Sequence, residues 1–150
     1  MLESQKINSQ IKVPKNLKVA IVYSEFNFEL VNKLLQKTTK EFESLNIKKP
    51  KTYNVPGALE IPLICKKLIK TGNYDVIIAL GVVLNGETAH FEHVSRESIH
   101  FIAKLSIENN FPIINGILTV YSKEQALKRL NRGKEFARSA IKTVNTLKTI

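Results

Sequence analysis

The sequence predicts an α/β fold in which helices cover both faces of a four-stranded parallel sheet. Short β-branched runs alternate with segments whose apolar residues recur at helical spacing. The connections between them are short, as in proteins built from alternating strands and helices. At least one strand is apolar throughout, as expected for a strand covered on both faces. With 150 residues, the chain is predicted to form one domain.

The first half of the chain carries two predicted strands and two predicted helices. The run LKVAIVY at Leu17–Tyr23 is the first strand, and its apolar residues are mostly β-branched. A long amphipathic helix starts at Phe28. The second strand, Lys51–Val55, precedes a helix from about residue 60 to residue 70. That helix is predicted to end at Gly72, because glycine is a common helix terminator.

The second half repeats this alternation. Asp75–Val83 is the third predicted strand, and the helix after it has an apolar face within Val94–Leu105. Pro112–Leu118 is the fourth strand. Ser122–Gln125 has the pattern of a capping box, which predicts the start of a helix there. The last helix is predicted from near Gly133 to the end of the chain.

The formal net charge of +10 raises the question of nucleic-acid binding. However, the lysines are spread over the polar positions of several amphipathic segments, which is typical of solvated helix faces. No helix-turn-helix, zinc-ligand or aromatic stacking motif accompanies them. We therefore expect no nucleic-acid partner. A basic protein associated with nucleic acid remains an alternative that rests on charge alone.

The sequence also predicts no membrane partner and a cytoplasmic location. No apolar run approaches the roughly 20 residues that span a bilayer, and residues 1–16 form a polar segment without the apolar core of a signal peptide. The single cysteine, Cys65, lies in an apolar helical stretch, so we expect a buried, unreactive thiol and a reducing compartment.

Polar and glycine-containing turns follow three of the predicted strands, at residues 24–27, 56–60 and 85–90. The carboxyl ends of parallel strands lie at the same edge of a sheet, where α/β folds bind their ligands. The three turns are therefore predicted to form one site.

The turn LNGETAH at Leu84–His90 combines groups suited to catalysis. Gly86 allows close backbone approach, and the N–H groups of Glu87 and Thr88 at a helix start attract a phosphate. His90 follows within one turn, and imidazole exchanges protons near neutral pH. No CxxC or HExxH spacing accompanies it, so we expect no metal.

Three further residues have both a structural and a functional interpretation. Phe26 lies in a polar turn, where it either anchors the loop or stacks on a flat heterocycle. Glu60 either caps a helix start or binds a polyol or ring edge. Arg129 is either a partner of a helix C-terminus or a clamp for phosphate. Asn27 is interpreted simply as a helix N-cap.

Four spaced motifs resemble the lumazine synthase family, whose members make 6,7-dimethyl-8-ribityllumazine in riboflavin biosynthesis. They are Phe26-Asn27, VPGALEIP at Val55–Pro62, ALGVVLNGETAHFEHV at Ala79–Val94, and NGILT with EQALKRL within Asn115–Leu130. The resemblance covers the chain from about Leu17 to its end. It implies a three-layer, flavodoxin-like sandwich around a four-stranded parallel sheet. It also implies condensation of 5-amino-6-(D-ribitylamino)uracil with 3,4-dihydroxy-2-butanone 4-phosphate, without a cofactor.

The resemblance also implies roles for individual residues. His90 would be the general acid and base. A second group would bind the pyrimidine and the ribityl chain: Phe26, Ala58, Leu59, Glu60, Val82, Val83, Leu84 and Asn115. The phosphate would be bound by Glu87, Thr88 and Arg129. Family sites lie between neighbours in a homopentamer, so Asn115 and Arg129 would come from the adjacent subunit, and riboflavin synthase is a candidate partner.

The chain departs from the family pattern at several positions. Asn85 stands where a basic residue is frequent, Leu59 where an aromatic residue is common, and Asn115 where phenylalanine is frequent. The connection between Arg129 and Gly133 is about five residues shorter than in many relatives. Because that connection influences assembly into sixty-subunit shells, we expect a pentamer in preference to a shell. The departures leave a flavodoxin-like protein that binds flavin or lumazine without turnover as the alternative function.

Overall fold

The computed structural model describes residues 11–86 and 89–150. Its four strands form one parallel sheet in the order β2-β1-β3-β4. The strands are β1 (Val19–Ser24), β2 (Lys51–Val55), β3 (Val76–Leu84) and β4 (Ile113–Val120). The helices are α1 (Phe28–Ser44), α2 (Ile61–Thr71), α3 (His90–Asn109), α4 (Lys123–Arg129) and α5 (Arg132–Lys148), with a 3₁₀ turn at Ala58–Glu60.

The sheet separates two apolar cores, as the alternation of strands and helices predicted. Side chains of one strand alternate between the two faces, so Val19 and Ile21 enter one core and Ala20 and Val22 the other. The first core is closed by α1, α4 and α5, and the second by α2 and α3. Strand β3 is buried along its length except for Leu84. The predicted three-layer α/β class is confirmed.

Helices α1 and α5 pack closely where they cross. A Cβ atom on Gly133 would lie 2.8 Å from the carbonyl oxygen of Leu34 and 2.9 Å from Oγ1 of Thr38, so only glycine permits this approach. Further along the same interface, Nε of Arg138 donates to Oε1 of Glu41 at 2.9 Å. Glu41 is only 8% exposed, so its carboxylate is buried with a charged partner.

Two predicted strand boundaries were wrong by two residues. Strand β1 starts at Val19, because the backbone N–H of Lys18 donates to the carboxylate of Asp75 at 2.8 Å. Strand β4 continues to Val120, because β3 extends far enough to pair with it there. In both cases a partner distant in the sequence sets the end of the strand.

One of the two hydrogen bonds of the predicted capping box is present at the start of α4. Oγ of Ser122 accepts from the N–H of Gln125 at 3.2 Å. The side chain of Gln125 instead accepts from the N–H of Tyr121 at 2.8 Å, one residue before the N-cap. In the described part of the chain, no helix combines the length and apolar character needed to cross a membrane.

Candidate functional site

A pocket of about 480 Å³ lies at the carboxyl edge of the sheet. Strand β1 and the turn after it contribute Ser24 and Phe26, the turn after β2 contributes Pro56–Glu60, and β3 contributes Val82–Leu84. Three strand ends that are far apart in the sequence therefore meet in one cavity, as predicted from the geometry of parallel sheets.

The end of β3 leaves one of its backbone edges open toward β1. Pairing between β1 and β3 stops at Tyr23 and Leu80, whereas pairing between β3 and β4 continues to Leu84 and Val120. In a parallel strand, the N–H and C=O of one residue both point toward the same neighbouring strand, and those of every second residue point the same way. The peptide groups of Val82 and Leu84 therefore point away from β4. Such an edge can bind a planar ring with amide-like donors and acceptors.

Asn27 is the N-cap residue of α1, as predicted, but its side chain does not make the capping bond and instead occupies part of this open edge. Its φ is 60°, in the left-handed region, and its side chain makes no bond to α1. A capping side chain normally requires an extended backbone, which Asn27 does not adopt. Its Nδ2 instead donates to the carbonyl oxygen of Val82 at 2.7 Å. The turn after β1 is thereby tied to the wall of the pocket.

The backbone of Phe26 is fixed by a hydrogen bond, while its ring remains exposed to solvent. The backbone N–H of Phe26 donates to the carbonyl oxygen of Pro56 at 3.1 Å, which fixes the turn after β1 against the turn after β2. The side chain itself is 74% exposed. An anchoring side chain would be buried, so the geometry favours a stacking surface at the pocket rim.

Glu60 has the predicted capping role, and its position also leaves it available to a ligand. Its Oε2 accepts from the N–H of Gly57 at 3.1 Å, which closes the 3₁₀ turn. The same side chain lines the pocket, together with Ala58 and the half-exposed Leu59. A carboxylate retains further acceptor positions after one such bond. It can therefore also bind hydroxyl or N–H groups of a ligand.

The start of α3 forms another part of the pocket wall. His90 is the first residue of this helix, is exposed, and lines the pocket. Phe91 and Val94 complete the wall, and the ring centroid of Phe91 lies 6.0 Å from that of Tyr121. Phe91 was not predicted to belong to the site. The available signals were its place in the motif at Ala79–Val94 and its position beside His90.

Of the three residues predicted to bind phosphate, Arg129 is the one that the structure describes. Glu87 and Thr88 lie outside the described residues, while Gly86 lines the pocket. Nη1 of Arg129 donates to the carbonyl oxygen of Gln125 at 3.1 Å within α4, so within one chain the guanidinium serves the end of its own helix.

Asn115 is likewise absent from the pocket of its own chain. It lies on β4, and its Oδ1 accepts from the backbone N–H of Ile117 at 3.0 Å. The residue is exposed, so it can contact another molecule. Both Asn115 and Arg129 were expected to serve the site of an adjacent subunit.

The pocket is mostly apolar, and its polar side chains are Ser24, Glu60 and His90. Among residues 11–86 and 89–150, no three His, Cys, Asp or Glu side chains lie close enough to share a metal ion. Cys65 lies outside the pocket in α2, where burial raises the pKa of its thiol to about 12. The predicted burial of this thiol is confirmed.

Comparison with known families agrees with this arrangement. A model of the 6,7-dimethyl-8-ribityllumazine synthase family matches residues 16–148, which is nearly the whole chain. The chain belongs to this family. Lumazine synthases are transferases of riboflavin biosynthesis, and the four-stranded parallel sheet with five helices agrees with their fold. The resemblance drawn from the four sequence motifs is confirmed.

Proposed function

We propose that the protein condenses 5-amino-6-(D-ribitylamino)uracil with 3,4-dihydroxy-2-butanone 4-phosphate. The product is 6,7-dimethyl-8-ribityllumazine, and phosphate and water are lost. The observation that carries the proposal is the convergence of motif residues from three chain segments on one pocket of about 480 Å³. This volume is within the range typical of small-molecule sites.

The pyrimidine would stack on Phe26 and be bound at its edge by the open side of β3. The exposed ring of Phe26 provides a flat apolar face, and the peptide groups of Val82 and Leu84 provide donors and acceptors. Glu60 would bind hydroxyl groups of the ribityl chain, since its carboxylate faces the same cavity. The hydrogen bonds donated by the Phe26 backbone N–H and by the Asn27 side-chain amide hold these groups in place before substrate arrives.

His90 would transfer protons during the condensation. The amino group of the pyrimidine attacks the ketone, and the resulting carbinolamine loses water to form an imine. Loss of phosphate and closure of the second ring require further proton transfers. An imidazole at the pocket wall can act as both acid and base in such steps. Much of the acceleration would come from aligning two substrates in one pocket, which replaces a bimolecular encounter.

The proposed site is completed by a neighbouring subunit in a homopentamer. Glu87, Thr88 and Arg129 would bind the phosphate, and Asn115 would contact the pyrimidine side. Both Arg129 and Asn115 are exposed and lie outside the pocket of their own chain, which leaves them available to a neighbouring subunit. The proposal includes a cytoplasmic location and riboflavin synthase as a candidate partner, because that enzyme consumes lumazine.

The decisive experiment is product formation by the purified full chain. Both substrates are supplied, and lumazine fluorescence and inorganic phosphate are followed together. We expect both signals to rise well above the spontaneous reaction and in equal amounts. Heat-denatured protein at the same concentration is the control for catalysis by residual metal or buffer.

A protein that binds lumazine without making it would give a different result. It would quench the fluorescence of added lumazine, while product formation stayed at the spontaneous rate. That outcome would replace the proposed reaction with the binding function. The departures at Asn85 and Asn115 motivate the comparison, because Asn85 is exposed beside the pocket and carries no positive charge.

A further inference from the structure

Ser24 differs from the other buried residues that carry a hydroxyl group. Thr38 and Ser98 are fully buried, and each hydroxyl donates to a carbonyl oxygen of its own helix, at 2.9 Å and 2.6 Å. Ser24 is 2% exposed and ends β1. Its hydroxyl has no hydrogen-bond partner in the described protein. A buried hydroxyl is normally paired, so this exception requires an explanation.

The Ser24 oxygen points into the pocket. No side-chain oxygen or nitrogen that is sealed from solvent lacks a partner in the part of the chain described, so the unpaired Ser24 oxygen is reached by solvent. Ser24 lines the pocket, which supplies that access. On the neighbouring strand, a Cβ atom at Gly81 would lie 3.0 Å from Oγ of Ser24. Glycine at this position leaves the hydroxyl its space at the pocket floor.

The position of Ser24 associates it with the heterocycle side of the site. It lies two residues before Phe26, and Gly81 precedes Val82 on the open edge of β3. The residues proposed to bind phosphate follow Gly86 in the sequence, before α3 begins at His90. A ring that stacks on Phe26 and reaches the edge of β3 therefore presents its inner edge to Ser24.

We propose that the Ser24 hydroxyl hydrogen-bonds the inner polar edge of the heterocyclic substrate and thereby contributes to its selection. This inference rests on the proposed function for the identity of the ligand. A hydroxyl can donate to a ring carbonyl or accept from a ring N–H. A ligand with an apolar atom at that edge would shield the hydroxyl from water without giving it a hydrogen-bond partner. Binding of such a ligand is therefore disfavoured.

The test compares Ser24→Ala with Ser98→Ala, which makes the same chemical change at a buried serine outside the pocket. A net hydrogen-bond contribution of about 1 kcal/mol corresponds to a roughly fivefold change. We expect Ser24→Ala to raise KM for the pyrimidine about three- to tenfold, with kcat and KM for the sugar phosphate changed less than twofold. Ser98→Ala should leave both KM values unchanged. Ser24→Cys, which keeps a weak donor, should fall between wild type and Ser24→Ala.

A second measurement does not depend on turnover. The pyrimidine substrate and its product lumazine are each titrated alone, and Ser24→Ala should raise both Kd values by the same three- to tenfold factor. The ligand-free Ser24→Ala protein should melt at or above the wild-type temperature, because no protein hydrogen bond is lost. Ser98→Ala should melt lower, since it loses its bond to Val94.

Three results would overturn the inference. They are unchanged KM and Kd in Ser24→Ala, an equal rise of KM for both substrates, and a large fall in the melting temperature of the ligand-free protein. Failure of the proposed reaction is seen separately, as absence of product with the wild-type chain. Ligand titration still tests Ser24 in that case, and absence of any binding by wild type would count against both.

Discussion

Cys65 makes the stability of the protein sensitive to alkaline pH. Burial raises its pKa from about 9 to about 12, so between these values the folded state retains a proton that the unfolded state releases. The contribution of this thiol to the free energy of unfolding is therefore complete below pH 9. It falls as the pH rises above 9, by at most about 1.4 kcal/mol per pH unit. Urea unfolding of wild type and Cys65→Ala should show a shallower decline in the variant above pH 9. Equal slopes would contradict this assignment.

Removing the His90 imidazole should reduce turnover without abolishing it. General acid–base catalysis typically contributes 10²- to 10⁴-fold, but solvent can replace part of it in an exposed site. We expect His90→Ala to lower kcat roughly 10- to 100-fold while binding of the pyrimidine is retained. The matched control is His100→Ala, an exposed histidine on the same helix that contacts Phe101 outside the pocket. An unchanged kcat in His90→Ala would exclude the proton-transfer role.

At the level of single residues, the sequence correctly placed Phe26 and His90 at one pocket. A glycine turn followed by histidine, together with an aromatic residue in a polar turn, limits the chemistry on the basis of sequence alone. Asn27 and Ser24 were different. Asparagine both caps helices and adopts left-handed backbone, and the sequence does not distinguish these cases. The space around the Ser24 hydroxyl depends on Gly81, 57 positions later in the chain.

The crossing of α1 and α5 depends on the absence of a side chain at Gly133. Alanine would gain up to about 1 kcal/mol of helix propensity. Its Cβ, however, would lie 2.8 Å from the carbonyl oxygen of Leu34, and backbone atoms cannot rotate away. We expect Gly133→Ala to lower the free energy of unfolding by about 1–3 kcal/mol, as overpacking does elsewhere.

Urea unfolding measures this effect, with Lys134→Ala as the neighbouring exposed control. That control should change stability by less than about 0.5 kcal/mol. Stabilisation by Gly133→Ala would mean that α5 can move away from α1 without loss of core packing.

The number and type of the helices and strands followed from the sequence, whereas the residues at which the strands begin and end did not. Long periodic segments such as α1 and α5 are determined locally by their apolar stripe. The ends of β1 and β4 depend on Asp75 and on the length of β3, which are remote in the sequence. The site shows a related limit, because Phe91 lies within the motif at Ala79–Val94 but was not predicted to line the pocket.

The division of the proposed site between subunits predicts recovery of activity in mixed assemblies. His90 belongs to the pocket of its own chain, whereas Arg129 does not reach it. His90→Ala and Arg129→Ala chains should each be weakly active alone. After unfolding and refolding together in equal amounts, some interfaces will pair an intact His90 with an intact Arg129. We expect activity well above the mean of the two separate variants.

Two controls accompany this mixing experiment. Refolding each variant alone reports losses from the procedure, and the mass in solution should be about 85 kDa for five chains of 17.0 kDa. Activity equal to the mean would indicate that each chain carries a complete site, and Arg129 would then have no role across the interface.

The order of the strands also constrains how the protein is made. β3 lies between β1 and β4, and α5 covers the same sheet face as α1. While the chain is being synthesised, β1, β2 and β3 therefore leave the ribosome before the segments that complete the sheet and cover one of its faces. An apolar strand edge stays open until about residue 120 has emerged, and the α1 face stays uncovered until α5 follows. The nascent chain thus depends on its last helix, and stalled or truncated products should be bound by chaperones or degraded.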